Sequence, residues 1–298
     1  MSTPEQPQDR SDDANVDELI LEHPEPQTRR AKLRRRGIYL LPNLITSGAL
    51  FAGFYSMVAG MNGDFVPAAL AIFVAMALDT ADGRVARITN TESEFGAEYD
   101  SLSDMVAFGV APALLAFSWG LKELGQAGWV VTFVFMACAA LRLARFNTKG
   151  DNETFTGLAS PSAAAIIACS IWVWMDYGLG QPSKFMISIM GAITIITALL
   201  MVSNFTYFSP KLINFKGRVP FITLVFVVLG LSLLLLDPPL VLLVLFSGYA
   251  LSGPVAYVWN WRKTREAVNL SEEHASNSPE SEQSTLADTS SEDASDKH

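Results

Sequence analysis

Hydrophobic residues in this chain come in long, almost uncharged runs separated by short polar segments, with no sustained alternation. Eight such runs stand out, at about 39–60, 66–88, 96–118, 128–146, 158–177, 185–204, 219–236 and 239–260. Each is close to the ~20 residues that take a helix across the hydrocarbon core of a bilayer. The pattern predicts an all-α integral membrane protein with about eight transmembrane helices. The second, third and fourth runs are the least uniform, because charges sit near their ends. Leu236-Asp237-Pro238-Pro239 alone separates the last two runs, a tight turn that no helix continues through.

Charge changes the picture at the ends. The net charge of −9 comes from two tails: residues 1–28 hold eight acids and one base, Arg10, and residues 269–298 hold eight acids and one base, Lys297. Both are rich in Ser, Asp, Glu, Pro and Gln and read as disordered. The expected organisation is an acidic tail over 1–28, a transmembrane domain over 29–266 and a second acidic tail over 267–298. The polar, acidic N-terminus has no early apolar region, so no secretory signal is expected.

Eight spans put both termini on one side, and lysine and arginine tell which. One set of segments holds 17 basic residues, among them Arg29, Arg30, Lys32, Arg34, Arg35, Arg36, Arg84, Arg87, Arg142, Arg145, Lys211 and Arg262. The alternate loops hold only Lys122 and Lys184. Basic residues accumulate on the cytoplasmic side, so both tails are expected there. The run Lys32 to Arg36 suits an anchor ahead of the first span. With Gly37-Ile38-Tyr39 it also suits a short amphipathic surface helix holding anionic lipid head groups. Cys138 and Cys169 lie inside apolar runs and read as small buried hydrophobes with no disulfide framework.

Four acids interrupt the apolar pattern. Residues 79–104 read D-x2-D-G-x2-A-R-x8-G-x3-D-x3-D. Asp79, Asp82, Gly83 and Ala86 share one helix face, and Gly96, Asp100 and Asp104 form one stripe on the next helix. A short connection makes the two helices antiparallel neighbours, so four carboxylates can converge. Gly83, Ala86 and Gly96 leave room for close approach. Carboxylates at the edge of an apolar layer are costly without compensation, and Arg84 and Arg87 are too few to neutralise four. Divalent cations compensate naturally: an all-oxygen set suits Mg2+ or Mn2+, and four acids can serve two ions. A helix-end salt-bridge cluster or a cation path across the membrane are the competing readings.

This pattern resembles the signature of the CDP-alcohol phosphotransferase family, integral membrane enzymes of phospholipid synthesis, with all eight fixed positions present at the family spacing. The resemblance implies a CDP-linked lipid donor, a small hydroxyl acceptor, two divalent cations and release of CMP. It implies that Asp79, Asp82 and Asp100 are metal ligands, and that Asp104 touches metal and accepts the acceptor's proton. Gly83, Arg87 and Ser93 match positions that contact the nucleotide. Pro42-Asn43-Leu44-Ile45-Thr46 is similar to the family's first-helix element, which makes Asn43 and Thr46 further nucleotide candidates; helix–helix hydrogen bonding is their other reading. A homodimer is implied by the resemblance alone, and no nucleic-acid partner is expected.

Three segments outside the signature bear on the acceptor. Phe108 to Ala113, Leu141 to Asn147 and Phe155 to Ala164 are similar to segments of the membrane-embedded phosphatidylserine synthases, with Ala159 where that group more often has proline. Met201-Val202-Ser203, Tyr207 and Lys211 add a weaker match. The implied reaction is CDP-diacylglycerol plus L-serine giving phosphatidylserine and CMP by single displacement, at a bacterial inner membrane among membrane lipids. Arg142 and Arg145 suit a bidentate grip on the serine carboxylate; anchoring the span and attracting phosphate would use the same residues. A sister enzyme using glycerol 3-phosphate or inositol remains the alternative, and a divalent cation transporter the remote one.

Overall fold

The computed structural model describes residues 26–149, 156–207 and 221–276. The described residues are helical, and their only β feature is an isolated antiparallel bridge between Thr156 and Thr206. Nine α-helices follow in order: α1 (Pro26–Asn62), α2 (Phe65–Thr89), α3 (Glu94–Asp104), α4 (Ala111–Trp119), α5 (Gln126–Lys149), α6 (Ser160–Asp176), α7 (Lys184–Val202), α8 (Phe221–Leu236) and α9 (Pro238–Ser276). A π-helical segment, Met105–Val110, joins α3 to α4 without a break, and a 3-10 turn, Leu121–Leu124, precedes α5.

Six helical stretches among the described residues are long and apolar enough to cross a membrane: Leu40–Asn62, Phe65–Thr89, Glu94–Trp119, Gln126–Thr148, Lys184–Val202 and Pro238–Trp259. The fifth and seventh expected spans form helices too, but α6 has 17 residues and α8 has 16. At about 1.5 Å per residue both fall short of a ~30 Å hydrocarbon core. The expected all-α membrane architecture is present; the count of eight spans is not established. Residues 26–28 and 267–276, assigned to the tails from composition, are helical. Residues 1–25 and 277–298, together with Phe155 and Lys211, lie outside the described residues. The basic stretch 29–36 runs on into the first span as one helix instead of forming a separate element.

Local chemistry places the helix ends. Asn90 adopts a left-handed conformation (φ 51°) and its N–H returns to the Ala86 and Arg87 carbonyls, closing α2. Three residues later Ser93 opens α3, its Oγ accepting the Gly96 N–H at 3.1 Å. Those two caps confine the α2–α3 connection to a few residues. Pro238 opens α9 while Asp237 Oδ1 accepts the Leu240 N–H at 3.2 Å, so the breaker sequence is also a helix start.

Helix α6 is the centre of the bundle. Its Ser-Ala-Ala-Ala-Ile-Ile-Ala-Cys run is buried on all sides, and small side chains let α2, α4, α7 and α9 pack around it. Cys169 is buried within it and Cys138 is half-buried on α5; both are free thiols. Helix α1 lies against α2 and against the continuous α3–α4 rod. At that crossing, a Cβ on Gly53 would sit 2.8 Å from the Ala107 backbone, so only glycine permits the contact.

Candidate active site

The C-terminal half of α2 and all of α3 bring the expected aspartates together. Asp79, Asp82 and Asp100 each present a carboxylate oxygen within 4.8 Å of the other two, an arrangement that can hold a metal ion. Asp104 lies outside this trio but close enough to Asp79 and Asp100 to interact with them electrostatically. Asp82 is 3% exposed, and Asp100 Oδ1 is buried with no hydrogen-bond partner. Buried acceptors without donors are rare in folded proteins. Hard oxygen ligands in a tight group, one of them an orphan, fit a divalent cation.

Helix α1 supplies the support. Thr46, buried at 4% exposure, donates its hydroxyl to Asp82 Oδ2 at 2.6 Å, with the Pro42 carbonyl 3.1 Å away. Ser103, next to Asp104, donates to the Thr46 carbonyl at 3.2 Å, and Tyr99 shares a 2.8 Å hydrogen bond with Ser47. These contacts tie α3 to α1 immediately beside the carboxylates. Thr46, expected at the nucleotide, is thus a direct partner of a carboxylate. Asn43 is half-buried and close to Gly96: a Cβ there would lie 3.4 Å from Asn43 Oδ1. Ser93 serves as the α3 cap. Arg87 is exposed and folds back along its own helix, Nε donating to the Gly83 carbonyl at 2.9 Å. A methyl on Gly83 would meet only Arg87 Nη2, at an ordinary 3.7 Å, so nothing in the protein itself demands glycine there.

The rod carrying Asp104 turns π-helical at the next residue. Such one-turn bulges interrupt the i→i−4 ladder and re-aim side chains, frequently at functional sites. Here the segment buries Ala107, Phe108 and Gly109 against α1 and α5.

Two arginines end α5. Arg142 is largely buried, donates from Nη1 to Ser160 Oγ at 2.9 Å and leaves its buried Nε without a partner. Its guanidinium is within electrostatic reach of Asp104. Arg145 donates to Asn204 Oδ1 at 2.9 Å in a more exposed position. Asn147 donates to Ser101 at 3.0 Å, joining α5 to α3. The segments that the sequence singled out for the acceptor therefore meet around Asp104: the π-helical segment, the end of α5 and the start of α6. Gly157 makes that start possible. It has φ +86°, and a Cβ there would fall 2.3 Å from the Met201 carbonyl oxygen. Its N–H donates to the Phe205 carbonyl, and Leu158 N–H to the Leu200 carbonyl, both at 2.9 Å.

The sequence profile of CDP-alcohol phosphatidyltransferases matches residues 39–228, nearly two-thirds of the chain. The chain belongs to the CDP-alcohol phosphatidyltransferase family. The family uses divalent cations, and the aspartate trio gives this member a place for one. Among its relatives, the CDP-diacylglycerol–serine O-phosphatidyltransferase of Helicobacter pylori is 34% identical over 227 residues, covering 74% of this chain and 92% of that protein. The enzyme of the same name from Methanocaldococcus jannaschii is 34% identical over 190 residues, 63% of this chain and 82% of that protein. That of Bacillus subtilis is 37% identical over 124 residues, 41% and 70% respectively.

Several supporting residues were not legible beforehand. Ser103, Tyr99 and Ser47 are hydroxyl residues in a chain full of them, and nothing in their spacing distinguishes them. Asn147 sat inside a segment already singled out. Tyr249 on α9, within electrostatic reach of Arg142, had no signal at all.

Proposed function

We propose that this chain is a phosphatidylserine synthase, transferring the phosphatidyl group from CDP-diacylglycerol to the hydroxyl of L-serine with release of CMP. The observation that carries this reading is the meeting of three aspartates, Asp104 and the Arg142–Ser160 pair at one end of the bundle. Curated serine-using relatives that align over most of their length support it.

Asp79, Asp82 and Asp100 would hold the divalent cations, two of them on this reading and either Mg2+ or Mn2+. When bound, such ions neutralise the pyrophosphate and stabilise the charge that develops on the departing CMP. Gly83 leaves space for the nucleotide along its helix face, and Gly96 lets Ser93 and Asn43 approach α3 closely. Arg87, exposed at the end of α2, adds positive charge for the phosphates, and Asn43 and Ser93 stand beside Gly96 for the cytidine. Thr46 holds Asp82 in place. Asp104 accepts the proton of the serine hydroxyl as that oxygen attacks the phosphatidyl phosphorus. The P–O bond to CMP breaks in the same displacement, so configuration at phosphorus inverts. Arg142, with a spare donor, takes the serine carboxylate in a charge-assisted hydrogen bond; Arg145 is the outer member of the pair.

The basic residues at this end argue that the site and both termini face the cytoplasm. The catalytic domain on this reading is 29–266, and the working unit a homodimer. The experiment is an acceptor panel: the chain in membranes with CDP-diacylglycerol, offered L-serine, glycerol 3-phosphate or inositol, with and without divalent metal. Metal-dependent CMP release with serine alone is expected. CMP release with another alcohol and none with serine would refute the acceptor, and metal flux without CMP release would refute the enzyme.

A further inference from the structure

Helix α9 lies beyond the family profile, which ends at residue 228, yet it reaches the acceptor side of the site. Tyr249 is half-buried on α9, and its phenol is within electrostatic reach of the Arg142 guanidinium. Among the described residues its hydroxyl makes no hydrogen bond to protein, whereas the other phenol of this layer, Tyr207, donates to the Ala250 carbonyl at 3.1 Å. Arg142 has Asp104 on another side, Ser160 on Nη1 and nothing on its buried Nε. Arg142, with a buried Nε that has no partner, is thus within electrostatic reach of both the proposed proton acceptor and the Tyr249 phenol.

The position of Tyr249 is built, not incidental. The Tyr207 ring packs against the Tyr249 ring with centroids 5.4 Å apart. It fits because Gly253 has no side chain; a Cβ there would lie 2.5 Å from Tyr207 Cζ. Residues 203–207 in turn are joined to the start of α6 by the Thr156–Thr206 bridge and the Gly157 N–H. That start carries Ser160, the Arg142 partner. The α6 start, Arg142, Tyr207 and α9 thus form one hydrogen-bonded and packed unit.

We infer that Tyr249 is an acceptor-binding residue that, together with Arg142, selects an alcohol bearing a carboxylate. A carboxylate accepts several hydrogen bonds at once. Arg142 supplies donors from one side and the Tyr249 hydroxyl supplies one from the other. The serine hydroxyl, two carbons away from that carboxylate carbon, is left directed toward Asp104. Tyr207 and Gly253 are positioning residues that hold α9 at the required depth. This inference rests on the serine reading above.

The test compares the full-length protein with Tyr249→Phe in lipid–detergent micelles containing CDP-diacylglycerol. Two acceptors are used: L-serine and serinol, which replaces the carboxylate with a hydroxymethyl group. Tyr249→Phe keeps the ring and its packing on Tyr207. The serine KM is expected to rise about tenfold, the ratio that loss of one hydrogen bond to a charged group brings. The CDP-diacylglycerol KM and kcat stay within about twofold. The preference for serine over serinol falls by the same factor; being a ratio within one preparation, it does not depend on the folded fraction. An unchanged serine-to-serinol preference overturns the inference even if activity drops. If the unmodified protein makes no product from serine, the acceptor reading fails and takes this inference with it.

Discussion

Thr46→Val tests whether the first helix tunes the metal site. The substitution keeps the branched shape inside α1 and removes only the hydroxyl that donates to Asp82 Oδ2 at 2.6 Å. Both residues are buried, Thr46 at 4% exposure and Asp82 at 3%, so water is poorly placed to replace the donor. A hydrogen bond to a charged group contributes roughly 1.5–3 kcal/mol, which at about 1.4 kcal/mol per decade is about 10- to 100-fold in an equilibrium constant. Partners that orient metal ligands show losses of similar size, about 10–100-fold in metal affinity. The expected result is a half-saturating Mg2+ or Mn2+ concentration raised by about that factor, with the maximal rate largely recovered at high metal. CMP release measured against metal concentration reads it directly, and the metal-dependent rise in Tm reads binding without turnover. Thr46→Ser, which restores the hydroxyl, should return the metal dependence most of the way. A Thr46→Val protein with wild-type metal dependence in both readouts would refute the argument and return Thr46 to a packing role.

Other substitutions separate the roles further. Gly83→Ala meets nothing closer than 3.7 Å in the protein, so Tm should stay within a few degrees while the CDP-diacylglycerol KM rises at least about tenfold; a large fall in Tm with unchanged KM would contradict a ligand-facing glycine. Gly157→Ala should be strongly destabilising in thermal unfolding. It would combine a left-handed backbone, costing about 1–2 kcal/mol for a residue with Cβ, with a methyl at 2.3 Å from the Met201 carbonyl, and overpacking adds about 1–3 kcal/mol. Ala159→Pro should be neutral or raise stability by about 0.4–1 kcal/mol, because Ala159 already sits at φ −61° at the N-cap of α6; a drop in Tm would show that its N–H is needed.

The run of apolar segments was enough to define a helical membrane protein, because a bilayer leaves each span a narrow range of length and composition. The span count was less secure. Helix α6 reads in sequence like any other span, but packing makes it the 17-residue centre of the bundle. The aspartates were legible because helical spacing alone puts Asp79 and Asp82 on one face and Asp100 and Asp104 on another, and a short connection forces the faces together. Spacing could not say that Asp104 would stand outside the tight trio formed by the other three, since that depends on how deep each helix sits. Nor could it show Thr46 on Asp82, 36 residues apart, or Arg142 on Ser160. Such contacts are set by interhelical crossings, which in turn depend on small residues such as Gly53 and Gly157. Tyr249 is the extreme case. One phenol in an apolar helix carries no pattern, and its place is set by packing: the Tyr207 ring lies against it and fits over Gly253, and α9 packs on α6. Periodicity within a helix therefore determined which chemistry this chain can assemble. Packing between helices, which periodicity does not encode, decided which side chains surround it.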